Sequence, residues 1–489
     1  MNRVDATVGP PRRIVRLIAI PAILQALLHT AHGFNDFLFI ARLDVLAMTE
    51  AISACFGILV LIFGIGQIVS IGTHTMAAQL TGAKNYRRRK RMLETAYLIA
   101  LCIGLFITTV GFFWTEEFVR ILHLPDDAHE YGVRYMRALF LGFPALMMLH
   151  VVTGTFRGMG YTTVPVYMEG TVLLLNTLLN GILVLGWLGG PELDVVGAAW
   201  ATILSCTITT AVAMVFLGRI IRRDARNQTT TTTSGSRRES VREILRIGIP
   251  ASFISIVYGF AFIALNRIAS VMDGPAQAAF GASLRGIEWV AWAVCVGFHV
   301  AASVAVGQCV GAGMADRARK VAWSAVGQSI IMVQLVGIAM ALTAHWTMPL
   351  VVQDPAAQSL GVSYLLWMGF TMFLVAIDTC FEGVLIGTGR SEVPMMISVV
   401  MNLLRIPIAA ALYFGFPQFG EGIAFAMGFT SAVPGLSDGM AQGFMAIIMA
   451  LVITNIGKAV WSYLAVYFLD FNTLADTRSQ LLQEPETST

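Results

Sequence analysis

Gly154-Thr-Phe-Arg-Gly158-Met-Gly160 is followed five residues on by Pro165, and Gly383-Val-Leu-Ile-Gly387-Thr-Gly389 is followed five residues on by Pro394. The two stretches are one pattern written twice, 229 residues apart. The same offset carries Gln79, Gly82 and Ala83 onto Gln308, Gly311 and Ala312. It also carries Pro21 onto Pro250, each inside an Ile-Pro-Ala step. One spacing therefore relates pairs from the start of each half to about two-thirds of its length, as a duplicated unit does. In a very apolar chain, a duplicated half points to a transporter with its substrate cavity between two related lobes.

The composition identifies the solvent. Of the 489 residues, 56% are hydrophobic and 12% charged, where an ordinary soluble domain carries roughly 25% charged residues. About 20 apolar residues span a bilayer core as a helix. Twelve runs of that kind are present, at roughly 14–41, 51–73, 92–114, 133–156, 164–188, 195–219, 244–271, 279–308, 321–344, 361–387, 394–414 and 442–468. Lipid-facing backbone must satisfy its own hydrogen bonds, and these runs are too long and too uniform for barrel strands, so helices are expected. The fold class is an all-α integral membrane protein.

Basic clusters fall on alternate loops: Arg12, Arg13 and Arg16, then Lys84 with Arg87–Arg91, then Arg219–Arg242, then Arg317–Lys320. The intervening loops carry Glu116, Glu117, Asp126, Asp127, Glu130, Glu192 and Asp194. The positive-inside rule then places both termini in the cytoplasm, and a bacterial inner (plasma) membrane is expected. Topology alone accounts for the basic loops, so no nucleic-acid partner is expected. The chain is read as a monomer in the lipid bilayer.

Residues 222–243, a polar stretch with a threonine run, read as a cytoplasmic linker between a lobe at 1–221 and a lobe at 244–468, with a cytoplasmic tail at 469–489. Residues 415–441 have no counterpart of that length in the first half and read as an insertion. The six cysteines lie in apolar runs at no ligand spacing, so they read as small buried hydrophobes, with no disulfide framework and no metal site. The first apolar run is too long for a cleavable signal. No Gly-x4-Gly-Lys-Ser/Thr loop is present, so ATP is not the direct energy source. The glycine-rich stretches themselves read as helix C-caps and tight turns.

Asp36-Phe-Leu-Phe-Ile-Ala-Arg-Leu-Asp44 resembles the end of helix 1 in the MATE family, the multidrug and toxic-compound extrusion transporters. Gln79-x2-Gly82-Ala83 with its basic run is similar to that family's helix 2–3 loop, and Phe156-Arg-Gly-Met-Gly-Tyr-Thr-Thr163 to its segment after helix 4. Asn176-x3-Asn180 and Gly197-Ala-Ala-x-Ala-Thr202 resemble helices 5 and 6, and Gly281-x3-Arg285-x2-Glu288 with Val306-Gly-Gln-x2-Gly-Ala-Gly313 the helix 8 region. The resemblance implies two pseudo-symmetric six-helix lobes around a central cavity. It also implies export of bulky, often cationic or amphiphilic compounds, driven by protons or by sodium. Ala41, Asp44, Ile386 and Gly33 depart from the family pattern and mark a divergent member.

A carboxylate at membrane depth is expensive and marks an ion or proton path. Asp36 lies about 30 Å from Arg16 along a continuous helix, within the apolar run, and is the expected proton carrier. Asn176, Asn180 and Thr202 are its expected hydrogen-bonding neighbours. In the second half Asp378 and Glu382 share a helix face and Glu288 opens run eight, a set suited to a cation such as sodium. Glu169 is expected at the cytoplasmic interface, Arg405 to snorkel or pair with an acid, and His74 and His299 to be packed. Two alternatives remain at this point: a lipid-linked oligosaccharide flippase of the same superfamily, and a membrane-embedded enzyme. The first would have fourteen helices and a basic cavity. The second would have clustered His, Asp and Glu ligands, of which no recognisable spacing is seen. The expected protein is not an enzyme and needs no cofactor beyond its coupling ion, H+ or alternatively Na+.

Overall fold

The computed structural model describes residues 3–122, 124–226, 236–271, 274–414 and 438–483. Among these there is no strand. The first half runs α1 (Pro11–Ala41), α2 (Leu46–Gly82), α3 (Tyr86–Phe113), α4 (Thr115–Arg120), α5 (Asp126–Leu141), α6 (Phe143–Gly158), α7 (Thr163–Leu183) and α8 (Asp194–Arg226). The second runs α9 (Arg237–Val271), α10 (Gly274–Ala282), α11 (Glu288–Gly311), α12 (Ala315–Val351), α13 (Pro355–Thr388), α14 (Glu392–Phe414), α15 (Asp438–Tyr467) and α16 (Phe471–Gln483).

Ten of these helices are long and apolar enough to cross a membrane, and the count reaches twelve with two bent pairs. One bent pair is α5 and α6, which meet at 56°. Run eight contains a π-turn, Ser283–Ile287, directly before Glu288. Helix α8 continues to Arg226 and α9 begins at Arg237, so the ends of the expected linker are helical. Residues 227–235 lie outside the described residues, as do 415–437 of the expected insertion. The expected tail holds a helix, α16. Asp470 caps it, accepting from the Thr473 hydroxyl and from the backbone N–H groups of Asn472 and Thr473. The Thr473 hydrogen bonds hold this exposed carboxyl below its ordinary range.

The repeated glycines do two jobs. Gly160 and Gly389 have φ of +86° and +85°, the left-handed turn that ends a helix. Gly154 and Gly158 let α6 lie directly on α2, since a Cβ on Gly158 would overlap the His74 carbonyl. Gly383 and Gly387 do the same for α13 on α11, against the carbonyls of His299 and Ser303. Small residues four apart permit this close approach where no hydrophobic force drives helices together.

The lobes are interlocked rather than side by side. Val15, Ile18 and Ala22 of α1 pack into the core of the second half, with Phe298 and Ala301. Their repeat mates Ile244, Ile247 and Ala251 of α9 pack into the core of the first half, with Val69 and Met76. The lobe boundaries at 221 and 244 therefore do not partition the packing.

At the end of the bundle that carries the basic loops, α2 and α11 meet about a pseudo-twofold axis. A Cβ on Gly82 would overlap the Gln308 carbonyl, and one on Gly311 would overlap the Gln79 carbonyl. Gln79 Nε2 donates to the Gly387 carbonyl at 2.9 Å, and Gln308 Nε2 to the Gly158 carbonyl at 3.4 Å. Residues 4–9 cross the same seam, with Val4 N–H on the Gly160 carbonyl, Ala6 N–H on Gln308 Oε1 and Arg317 on the carbonyls of Ala6 and Gly9. Helix α16 straps it from below: Phe471 sits in one core and Leu482 in the other.

Candidate functional site: a polar track on one lobe

Asp36 lies inside α1, five residues before its end, so it is not a helix-terminal acid beside Arg42. Its carboxylate takes three hydrogen bonds. Asn176 Nδ2 and Asn180 Nδ2 of α7 donate to Oδ1 at 2.9 and 2.8 Å, and the Thr202 hydroxyl of α8 donates to Oδ2 at 2.6 Å. Both asparagines are fully buried. The cage is cross-linked: Asn176 Nδ2 also reaches Thr202 Oγ1, and Asn176 Oδ1 accepts from Asn180 and from Asn35. Asn180 Oδ1 is buried without a hydrogen-bond partner. Four residues chosen from sequence are thus one constellation, held by three helices.

The constellation is the end, away from the basic loops, of a longer track. Gln25, His29, His32 and Asp36 recur at intervals of four, three and four along α1, and so share one face. Glu169, Asn176 and Asn180 recur at seven and four along α7 and face them. Gln25 Nε2 donates to Glu169 Oε1 at 3.4 Å, and His29 Nδ1 lies 3.5 Å from the same oxygen. Arg157 of α6 donates twice to Gln25 Oε1, at 2.9 and 2.6 Å. The His150 ring meets His29 edge-on, centroids 6.2 Å apart. Glu169 is 5% exposed, enclosed by protein rather than open to solvent. The track extends about 16 Å from Gln25 to Asp36. A cleft of about 890 Å³ opens at the basic end, between residues 3–10, the start of α1 and Tyr167 of α7. Its Arg13 and Arg16 lie at the far end of α1 from Asp36.

The second-half acids are arranged differently. Asp378 accepts from the Ser462 hydroxyl at 2.8 Å, and Lys458 Nζ lies 3.6 Å from its other oxygen. Glu382 faces His299 at 4.0 Å, and His299 Nδ1 lies 3.1 Å from the Thr379 carbonyl. Glu288 has its own partner, the Tyr364 hydroxyl, which donates at 2.7 Å. Arg405 is buried and donates to Thr454 and Asn455 rather than to an acid. Five cysteines are buried, as expected, and Cys102 is exposed.

The MatE family model matches this chain twice, over residues 21–182 and 250–411. The matches begin at the paired prolines and differ by the same 229-residue offset. The chain belongs to the MatE family. Among characterised relatives it is similar to the probable multidrug resistance protein YoeA of Bacillus subtilis, 25% identical over 63% of this chain and 66% of that one. It is similar also to the multidrug export protein MepA of Staphylococcus aureus, 23% identical over 82% and 87%. Its fold matches a MOP superfamily transporter from Pyrococcus furiosus with a TM-score of 0.80, at 19% identity and 96% and 98% coverage. A multidrug resistance MATE transporter solved in an outward-facing conformation matches with a TM-score of 0.81, at 20% identity and 97% and 99% coverage. The family is one of multidrug efflux transporters, and the helical two-lobe architecture expected from the repeat is that of its structures.

Within this MatE fold, sequence reading missed Gln25, His29, His32, Asn35, Arg157 and Lys458. The signal for the first three is a four-three-four polar stripe in an otherwise apolar helix. Asn35 stands one position from Asp36 and takes up Asn176, although Gly33 holds the position where the family often has asparagine. The partners of Lys458 and Arg157 come from helices far away in the chain, so neither contact is legible locally, although Arg157 itself stands in the repeated glycine stretch. No sequence spacing reveals a His/Asp/Glu cluster, but the fold brings one together. His29, His32 and Glu169 each offer a ligand atom, all within 4.8 Å of one another, on helices that are 140 residues apart.

Proposed function

We propose that this MatE chain is a proton-coupled antiporter that exports bulky organic cations or amphiphiles, with Asp36 as the proton carrier. The observation that carries the reading is the Asp36 cage. As a carboxylate, Asp36 is held by three donors from α7 and α8. Once protonated it must donate one hydrogen bond, and the unpaired Asn180 Oδ1 is an acceptor beside it. Protonation thus rewires contacts between α1 and its neighbours, which couples a proton to a change of helix packing. Only a difference in proton affinity between the two states can drive transport. With the basic end in the cytoplasm, the membrane potential supplies about 2.3 kcal/mol per charge per 100 mV.

Lys458 favours protons over sodium. A sodium ion at Asp378 has to displace an ammonium that already neutralises the carboxylate. Drug-dye efflux from energised inverted vesicles tests the reading, with a protonophore and a sodium ionophore applied separately. The protonophore alone is expected to abolish efflux, and Asp36→Asn to do the same while leaving expression and gel-filtration behaviour unchanged. Full efflux by Asp36→Asn, or collapse by the sodium ionophore alone, overturns it.

A further inference from the structure

We propose that His29, His32 and Glu169 form a binding site for a divalent transition-metal cation, of the class that prefers imidazole and carboxylate donors. His29 and His32 are one turn apart on α1, and Glu169 reaches them from α7. Their ligand atoms lie within 4.8 Å of one another, with His29 Nδ1 3.5 Å from Glu169 Oε1. Ligand bonds of about 2.0–2.1 Å in a tetrahedral site leave donor atoms roughly 3.4 Å apart. One edge of that figure is therefore already formed, and small side-chain rotations close the others.

A second observation points the same way. Glu169 is 95% buried, and its Oε2 has no hydrogen-bond partner. A buried carboxylate oxygen without a donor is costly, and a cation among these three residues satisfies it. The surroundings have the features of an outer shell: Gln25 Nε2 fixes the carboxylate, and His150 abuts the His29 ring. Glu169 supplies a negative charge to the site itself, and the Arg157 guanidinium is turned to Gln25 Oε1 rather than to that carboxylate. The His29 side chain is 56% exposed. The fourth coordination position therefore opens to accessible space, where a water or a donor atom of a transported compound fits.

The test is direct binding and does not depend on transport. The full chain, purified in detergent without a polyhistidine tag and stripped with chelator, is titrated with Co2+ and then with Zn2+. One equivalent of Co2+ is expected to bind with a ligand-field absorption band that Zn2+ abolishes. The double variant His29→Ala/His32→Ala should lose the band. Glu169→Gln, which keeps size and hydrogen bonding, should weaken binding at least tenfold. His345→Ala, on α12, should bind like the natural chain. Absence of stoichiometric binding to the natural chain overturns the proposal, as does a Glu169→Gln variant that gels as a monodisperse protein and binds with unchanged affinity.

Discussion

Thr202 makes the shortest hydrogen bond to Asp36, and its hydroxyl also accepts from Asn176 Nδ2 within the cage. A hydrogen bond to a charged group is worth about 1.5–3 kcal/mol, which is a factor of roughly ten to a hundred. Thr202→Val keeps the shape of the side chain and removes both bonds, so proton-driven efflux should fall at least tenfold at unchanged expression. Thr202→Ser should restore most of it. Equal rates in all three would show that the cage merely packs. The four residues of the cage were legible in sequence because acids and amides are rare in apolar runs and therefore conspicuous. Lys458 was not, since no partner on its own helix marks it, and only the fold shows it turned toward Asp378.

Helices α2 and α11 can meet as they do only because Gly82 and Gly311 carry no side chain. Cys309 lies in that seam, fully buried, with its thiol 3.5 Å from the Ala6 carbonyl. It is a natural reporter of closure at the basic end. In a chain whose other five cysteines are replaced, Gly82→Val should raise the rate of Cys309 labelling by a small maleimide several-fold, because the added methyls overlap the Gln308 carbonyl. Gly218→Val, at a glycine with open space around it, should not. Comparable labelling in both variants would mean that α2 and α11 do not gate access there. The glycines were visible as a repeated motif, and their turn-forming role followed from spacing. Their second role, which is to bring backbones together between helices, depends on which helices are neighbours and so was not.

The basic loops are also structural at this end of the molecule. Arg88 of α3 pairs with Glu239 and Glu243 of α9, and Glu243 in turn with Arg478 of α16. Arg88 and Asn85 also donate to the last carbonyls of α16, at Leu481 and Leu482. The Arg88 and Glu243 side chains are only 6% and 16% exposed, and breaking a buried pair by removing one partner costs about 3–5 kcal/mol. That is a hundredfold or more in a two-state ratio. Spin labels at Arg120 and Val351, on the end opposite the basic loops, should therefore report a shorter inter-lobe distance in Arg88→Gln than in the natural chain, as rigid lobes rock about their middle. An unchanged distance distribution would mean that this network does not hold the two lobes closed at the basic end.

The sequence by itself determined the solvent, the helical class, the duplicated halves and the Asp36 cage. Each of these rests on local or periodic signals: apolar run length, a constant offset, and rare polar residues within apolar helices. What only the tertiary structure decided are features made by helices distant in the chain. These are the crossing of the basic-end halves of α1 and α9 into the opposite cores, the glycine seam, the Lys458 partner of Asp378, and the His29–His32–Glu169 cluster. No spacing along one helix encodes which face of another it will meet. That is fixed when twelve spans pack together, and it is there that a buried carboxylate acquires its partners.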